Sequence, residues 1–385
     1  MKRLFNLASI LTRKRPPVGT TPADVVHAEN KWKLLRYRRT TPARWRTPVL
    51  FVPSLINRHY VLDLLPGKSF AEWLVAQGHD VYCIDWGTPT DEDRYLTFDD
   101  VCDGYIARAI RKTVECASAP LRGVRTQGAE RAHVLGYCMG GTLAAIHASV
   151  HPDTLASLVA LAAPVRFAEA GLLGAWTQSR LFQPKALVDA LGNVPWQLLQ
   201  SSFHMLRPTL NLSKAVALVD RAWDDEFLDG FLALETWGND NVSFPGEVWQ
   251  TWVEQLYRGD AFARGTFALS GKPALMENID CPLLVVTFEH DSIVPKETAT
   301  VLLERATSKD KQGLHLSGGH VGAVVSRGAS KKLWPSLSEF WAKRDGAAPA
   351  VTASDAPPSR PRSRRPPPAT ATARENHRRR STRSH

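Results

Sequence analysis

Long apolar runs are missing from this sequence of 385 residues. No stretch approaches the roughly 18 apolar residues a helix needs to span a bilayer, so a soluble protein is expected. Cysteine is scarce. The five present (Cys83, Cys102, Cys116, Cys138, Cys281) are an odd number without paired spacing, and no CxxC or Cys/His zinc pattern occurs. Neither a disulfide framework nor a metal site is expected, and most of these thiols read as reduced, buried groups of a cytosolic protein. No internal repeat is visible.

Positive charge is plentiful, but not in the body of the chain. The formal net charge of +10 resolves into +5 from residues 1–16, +6 from residues 345–385 and about −1 from everything between. The body has the composition of a globular protein, with 44% apolar residues, 12 Trp and 14 Phe. It is long enough for one or two domains. Residues 1–16 place Leu4, Leu7, Ala8 and Leu11 at helical spacing among basic residues. They read as an amphipathic helix, surface-seeking or docked on the body, rather than a secretory signal, because no small-residue cleavage site follows. Residues 345–385, rich in Pro, Ala, Ser and Arg, bury too little apolar surface to offset chain entropy and are expected to be disordered.

Within the body, short apolar runs alternate with helical patterns. Strands are expected at 48–53, 79–86, 132–137, 157–164, 281–289 and 313–318. Helices are expected at 69–78, 99–116, 139–150, from Lys296 and at 333–344. Continuous apolar strands alternating with helices predict a mostly parallel sheet covered on both faces. From 166 to 278 the rhythm stops and the pattern is helical and tryptophan-rich, with no strand expected. The organisation that follows is a sheet core (17–165 and 279–344) interrupted by a helical cap (166–278). Most of the cap's tryptophans read as its own packing.

GYCMGG (136–141) follows one of those strands and begins a helix of small residues. It matches G-x-S-x-G, the nucleophile elbow of the α/β-hydrolase fold, with Cys138 in the serine position. The glycines let the backbone pass at a sharp turn, and the Met139 N–H that follows is aimed at a developing oxyanion. The helix N-terminus also favours a thiolate. The bland alternative is a glycine-rich turn around a buried thiol. In chain order an elbow needs an acid and then a histidine. Asp291 stands just past one strand and His320 just past the last, in the loop SGGHVG. Glu289 competes for the acid. His290 and His315 compete for the base, and His315, inside an apolar strand, reads as a core histidine. A second oxyanion N–H is expected near Leu55–Ile56, after the strand at 48–53.

GYCMGG, LINRHYVLDLLPGKSF, GHDVYCIDWGTPTDEDRYLTFDDVCDGYI, GNVPWQLLQSSFHMLRPTLNL, FEHDSIVP and GGHVG together resemble the polyhydroxyalkanoate synthase family, over roughly residues 20–344. The likeness is greatest to the two-component, class III-like catalytic subunit. It implies an α/β-hydrolase fold with a helical cap and a triad of Cys138, Asp291 and His320. It further implies polymerisation of 3-hydroxyacyl-CoA, 3-hydroxybutyryl-CoA above all, into polyester with release of CoA. No cofactor is implied beyond that CoA thioester. The implied partners are a smaller accessory subunit and the surface of cytoplasmic polyester granules, and a homo-oligomer is compatible with it. Two features depart from the family pattern: Ser292, where His often follows the triad aspartate, and the Arg-rich tail.

Chemistry gives the cysteine a reason. Moving an acyl group from CoA sulfur to Cys138 sulfur exchanges one thioester for another, so the acyl group stays activated for transfer to an alcohol. Two other readings are open. One is a cysteine-dependent acyl-CoA thioesterase or other hydrolase, told apart by a free-acid product. The other is a non-catalytic paralogue that uses its basic ends on a granule or on nucleic acid, although nucleic acid is not the expected partner.

Overall fold

Apolar runs without alternation can be satisfied as strands covered on both faces. In the computed structural model of the protein they form the middle of an eight-stranded sheet. The structure describes residues 6, 10, 12–39, 43–118, 129–168, 171–206 and 210–345. The strands are β1 (Ala23–Glu29), β2 (Trp32–Tyr37), β3 (Val49–Val52), β4 (Val81–Asp85), β5 (Ala132–Tyr137), β6 (Leu155–Leu161), β9 (Leu283–Phe288) and β10 (Lys311–Leu316). β7 (Ala268–Leu269) and β8 (Lys272–Pro273) make a separate ribbon.

The spatial order is β1-β2-β4-β3-β5-β6-β9-β10. From β4 to β10 all neighbours are parallel, while β1 and β2 join antiparallel at one edge. Every residue of β3, β5 and β9 is buried. The helices Ala107–Ser118, Met139–Val150 and Lys296–Arg305 cover one face, and Phe70–Ala76 and Trp334–Ala342 cover the other. Phe70–Ala76 begins where the Ser69 hydroxyl accepts from the Glu72 N–H, a cap that serves one otherwise orphaned amide. Its Phe70 ring stacks on Trp334 at 5.6 Å.

Three expectations need correction. β1 and β2 precede the first expected strand, because Lys33 and Arg36 interrupt the apolar run of β2, whose Trp32 and Leu34 pack on one face of the sheet and Tyr37 on the other. The helical stretch does contain a strand pair, β7–β8, held by a two-residue turn in which Ser270 and Gly271 both have positive φ. His315 is not a core histidine. β10 is an edge strand, so His315 is exposed, and its ring meets the Thr287 hydroxyl at 2.9 Å.

Between β6 and β9 the helices fall into two sets. In Gly171–Thr177, Pro184–Leu191, Trp196–Leu206 and Leu210–Arg221, Gly174 and Pro184 are the buried residues among those described. In Asp225–Asn239, Gly246–Thr251 and the turns through Arg264, Leu228, Trp237, Val248, Trp249 and Trp252 are buried. Trp223 stands 58% exposed, so core packing accounts for some of this stretch's tryptophans and not all.

Near the N-terminus, Arg13 pairs with Asp225 and Asp229 on the helix Asp225–Asn239. All four apolar positions expected to make a helix there, Leu4, Leu7, Ala8 and Leu11, lie outside the described residues. The tail also lies outside them apart from Asp345, whose carboxylate accepts from the Thr47 N–H and hydroxyl. Among the described residues no helix is long and apolar enough to cross a membrane.

Candidate active site

Parallel strands deliver their carboxyl ends to one edge of the sheet, where ligands bind in open α/β folds. Here β3, β5, β9 and β10 run into Leu55–Ile56, Cys138, Asp291 and His320 respectively. Cys138 is the residue between β5 and the helix Met139–Val150, with φ 55° and ψ −127°. Such a conformation costs a non-glycine residue on the order of 1–3 kcal/mol and persists where the surroundings over-determine it. The surroundings do so. The Cys138 N–H donates to the Leu161 carbonyl at 2.9 Å, and its own carbonyl accepts from Gly141 and Thr142. A Cβ on Gly136 would lie 2.3 Å from the Gly141 Cα, and one on Gly140 would lie 2.0 Å from the Val52 carbonyl oxygen. Glycine at these two positions therefore allows the turn to close against β3.

That approach puts the start of the helix against the segment after β3. Among the described residues, the Met139, Leu55 and Ile56 amides have no backbone carbonyl as partner. Met139 is a first-turn amide with no partner inside its helix. These three positions are therefore free to serve a ligand oxygen.

The loops after β9 and β10 are bonded to each other. The Glu289 N–H donates to Leu316 O at 2.9 Å and the His290 N–H to Gly318 O at 3.0 Å. Asp291 is consequently held beside His320, and its Oδ2 accepts from the ring Nδ1 at 2.7 Å. Its Oδ1 accepts from the Ile293 and Val294 amides at 2.9 and 2.8 Å. With Nδ1 committed, Nε2 is left to face the Cys138 sulfur, which lies close enough to act on the ring's protonation. The Asp291 and His320 side chains are 1% and 8% exposed, whereas Cys138 is half-buried.

Burial alone would lower the His320 imidazole. The Cys138 sulfur, and after it the Asp291 carboxylate, more than offset that and push its pKa up. The ring thus holds a proton best when it faces an anionic sulfur, the condition a cysteine nucleophile needs.

The competitors are placed elsewhere. The His290 side chain is 69% exposed beside Glu289, and His315 lies on the edge strand. Two tyrosines at the site escaped the sequence reading. Tyr137 stacks on the His320 ring at 5.4 Å and its hydroxyl donates to the His320 carbonyl at 3.3 Å. It lies inside the elbow motif, so its position was visible though its role was not. Tyr257 comes from the short π-helix Trp252–Arg258, and burial together with the Cys138 sulfur raises its phenol. Its hydroxyl therefore stays protonated.

The arrangement can accept an acyl group on sulfur, move a proton through one imidazole and hold an oxyanion on backbone amides. Comparison with known proteins gives it a setting. The family model described as "Poly-beta-hydroxybutyrate polymerase (PhaC) N-terminus" matches residues 16–74. The model described as "alpha/beta hydrolase fold" matches residues 47–326. The chain is 34% identical over 349 residues to a poly(3-hydroxyalkanoate) polymerase subunit PhaC of Thiocystis violacea, covering 89% of this chain and 93% of the relative. It is 35% identical over 330 residues to a protein of the same name from Haloferax mediterranei, of which it spans 65%. Among solved structures, a monoacylglycerol lipase of Paleococcus ferrophilus is similar over 80% of this chain and 99% of its own, at 18% identity and a TM-score of 0.48.

Proposed function

Because the chain belongs to the poly(3-hydroxyalkanoate) polymerase subunit PhaC family, we propose that it polymerises 3-hydroxyacyl-CoA through an acyl thioester on Cys138. The observation that carries this reading is the single imidazole of His320, bonded to Asp291 at Nδ1 and near enough to the Cys138 sulfur for that sulfur to raise its pKa.

His320 takes the thiol proton. The Cys138 sulfur attacks the thioester carbonyl, and the oxyanion is held by the Met139 N–H and an N–H of Leu55 or Ile56. The C–S bond to CoA then breaks, and CoA leaves with the proton from His320. For chain growth His320 takes the proton of a 3-hydroxyl group. The alkoxide attacks the acyl-Cys138 thioester, an ester forms and the Cys138 sulfur is released. Asp291, with both oxygens committed, orients His320 through this cycle. The helices of 166–278 act as a cap that keeps water from the acyl-enzyme. The chemistry calls on no metal or cofactor.

Short-chain monomers, 3-hydroxybutyryl-CoA above all, are the proposed substrate class. A smaller accessory subunit and the surface of a cytoplasmic polyester granule are the proposed partners. One assay tests the reading: CoA release from 3-hydroxybutyryl-CoA with detection of insoluble polyester, run with and without an accessory synthase subunit. Polymer formation that accelerates with the subunit is expected. Free 3-hydroxybutyrate as the product would make the protein a thioesterase, and a full rate without the subunit would end the two-component assignment.

A further inference from the structure

The segment after β3, which carries the Leu55 and Ile56 amides, is not held by the sheet alone. The chain just past the helix Asp225–Asn239 grips it residue by residue. The Val242 N–H donates to Ile56 O at 3.2 Å, and the Asn57 Nδ2 donates to Asn241 Oδ1 at 2.6 Å within an isolated antiparallel bridge. The Trp237 indole N–H donates to Arg58 O at 2.9 Å. At the centre is Asp240. Its Oδ1 accepts from the Arg58 Nε at 3.1 Å and its Oδ2 from the Tyr60 hydroxyl at 2.8 Å. Arg58 also reaches the Gly87 carbonyl after β4. Burial and the Asp240 carboxylate raise the Tyr60 phenol, which therefore remains a donor.

We infer that Asp240 is a positioning residue for acyl transfer: by clamping Arg58 and Tyr60 it fixes the Leu55–Ile56 amides where the oxyanion forms. The inference rests on the Cys138 site proposed above. It has a physical basis in scale. An oxyanion donor acts at about 2.7–3.1 Å from the position of the developing charge, so a loop that drifts by an ångström loses it. The side chain touches neither sulfur nor imidazole, so its influence reaches the carbonyl through the backbone of residues 55–60. It also ties catalytic competence to the seating of the helix Asp225–Asn239, since the clamp forms when that helix is docked.

The discriminating measurement sets two reactions of the same thiol side by side in the full-length protein. Acylation of Cys138 by 3-hydroxybutyryl-CoA uses the oxyanion donors, and alkylation of Cys138 by iodoacetamide does not. For Asp240→Asn the expected result is about a tenfold slower acylation, carried in kcat rather than KM. For Tyr60→Phe, which deletes one hydroxyl and keeps the ring, it is about threefold. Alkylation should stay within twofold of the parent in both. Unchanged acylation in both variants overturns the inference. So does alkylation falling in step with acylation, which would place the effect on the Cys138–His320 pair or on folding. A parent protein that alkylates at Cys138 but takes no acyl group from the thioester would instead overturn the proposed function.

Discussion

The carboxyl edge of the sheet and the outer helices of 171–221 are built on opposite terms. At the sheet edge Asp291 has both oxygens committed, Cys138 is locked by backbone bonds, and glycines permit contacts that no other residue would. In the outer helices Met205, Leu212 and Val216 stand 60% or more exposed, as does Leu181 in the turn between two of them. The inner helix Asp225–Asn239 lies between the two regions and grips the loop that begins the active edge. The contrast teaches that chemistry here is concentrated where freedom has been removed. A change at the edge should cost function steeply, and one on the outer helices should cost folding almost nothing.

The largest effect should come from Cys138→Ala, which removes the acyl acceptor. CoA release is expected to fall by more than about 10³-fold, with the circular dichroism spectrum unchanged. Turnover that survived would dissolve the distinction between the two regions. Next is Asp291→Asn, expected to slow turnover on the order of 10²- to 10⁴-fold. Its sharper readout is the His320 ring by NMR titration. Asp291 is one of the groups that raise the His320 pKa, so the midpoint must move to lower pH. The linkage has a definite sign. A histidine raised from about 6.5 stabilises the fold fully below that pH and loses the contribution as pH rises through its folded value of about 10. Asp291→Asn should therefore be more destabilising at pH 6 than at pH 10.5, by urea midpoint.

Smaller in magnitude is Gly140→Ala, where a Cβ would press on the Val52 carbonyl. Overpacking of this kind costs about 1–3 kcal/mol, and CoA release should fall with it. The smallest effect belongs to the other region. Leu212→Ser, on a side chain 66% exposed, should leave the urea midpoint within about 0.5 kcal/mol of the parent. A larger loss would show that the outer helices hold the fold after all.

The sheet's central strands and the three residues Cys138, Asp291 and His320 were legible in the sequence for a local reason. Each sits beside a short stretch whose pattern depends on neighbours in the chain: an apolar strand, a glycine-flanked bend, a strand-end loop. What was missed depends on space. β1 and β2 alternate weakly because they form an antiparallel edge. His315 misleads because it lies inside an apolar run whose place at the edge of the sheet is set by topology and not by its neighbours in the chain. The β7–β8 ribbon left the one overlooked local signal, Ser270-Gly271, a dipeptide suited to a two-residue hairpin. Asp240 left none, since its partners Arg58 and Tyr60 lie 182 and 180 residues away.

The pair of backbone bonds that join the turns after β9 and β10 has a consequence for how such a chain tolerates change in length. The two turns are bolted together before either carboxylate or imidazole is reached, so they keep a common measure. One residue inserted before Asp291 would carry it past the ring, and only a matching insertion before His320 could restore the meeting. Lengthening one turn alone should therefore be harder to accommodate than rewriting most of the side chains along it.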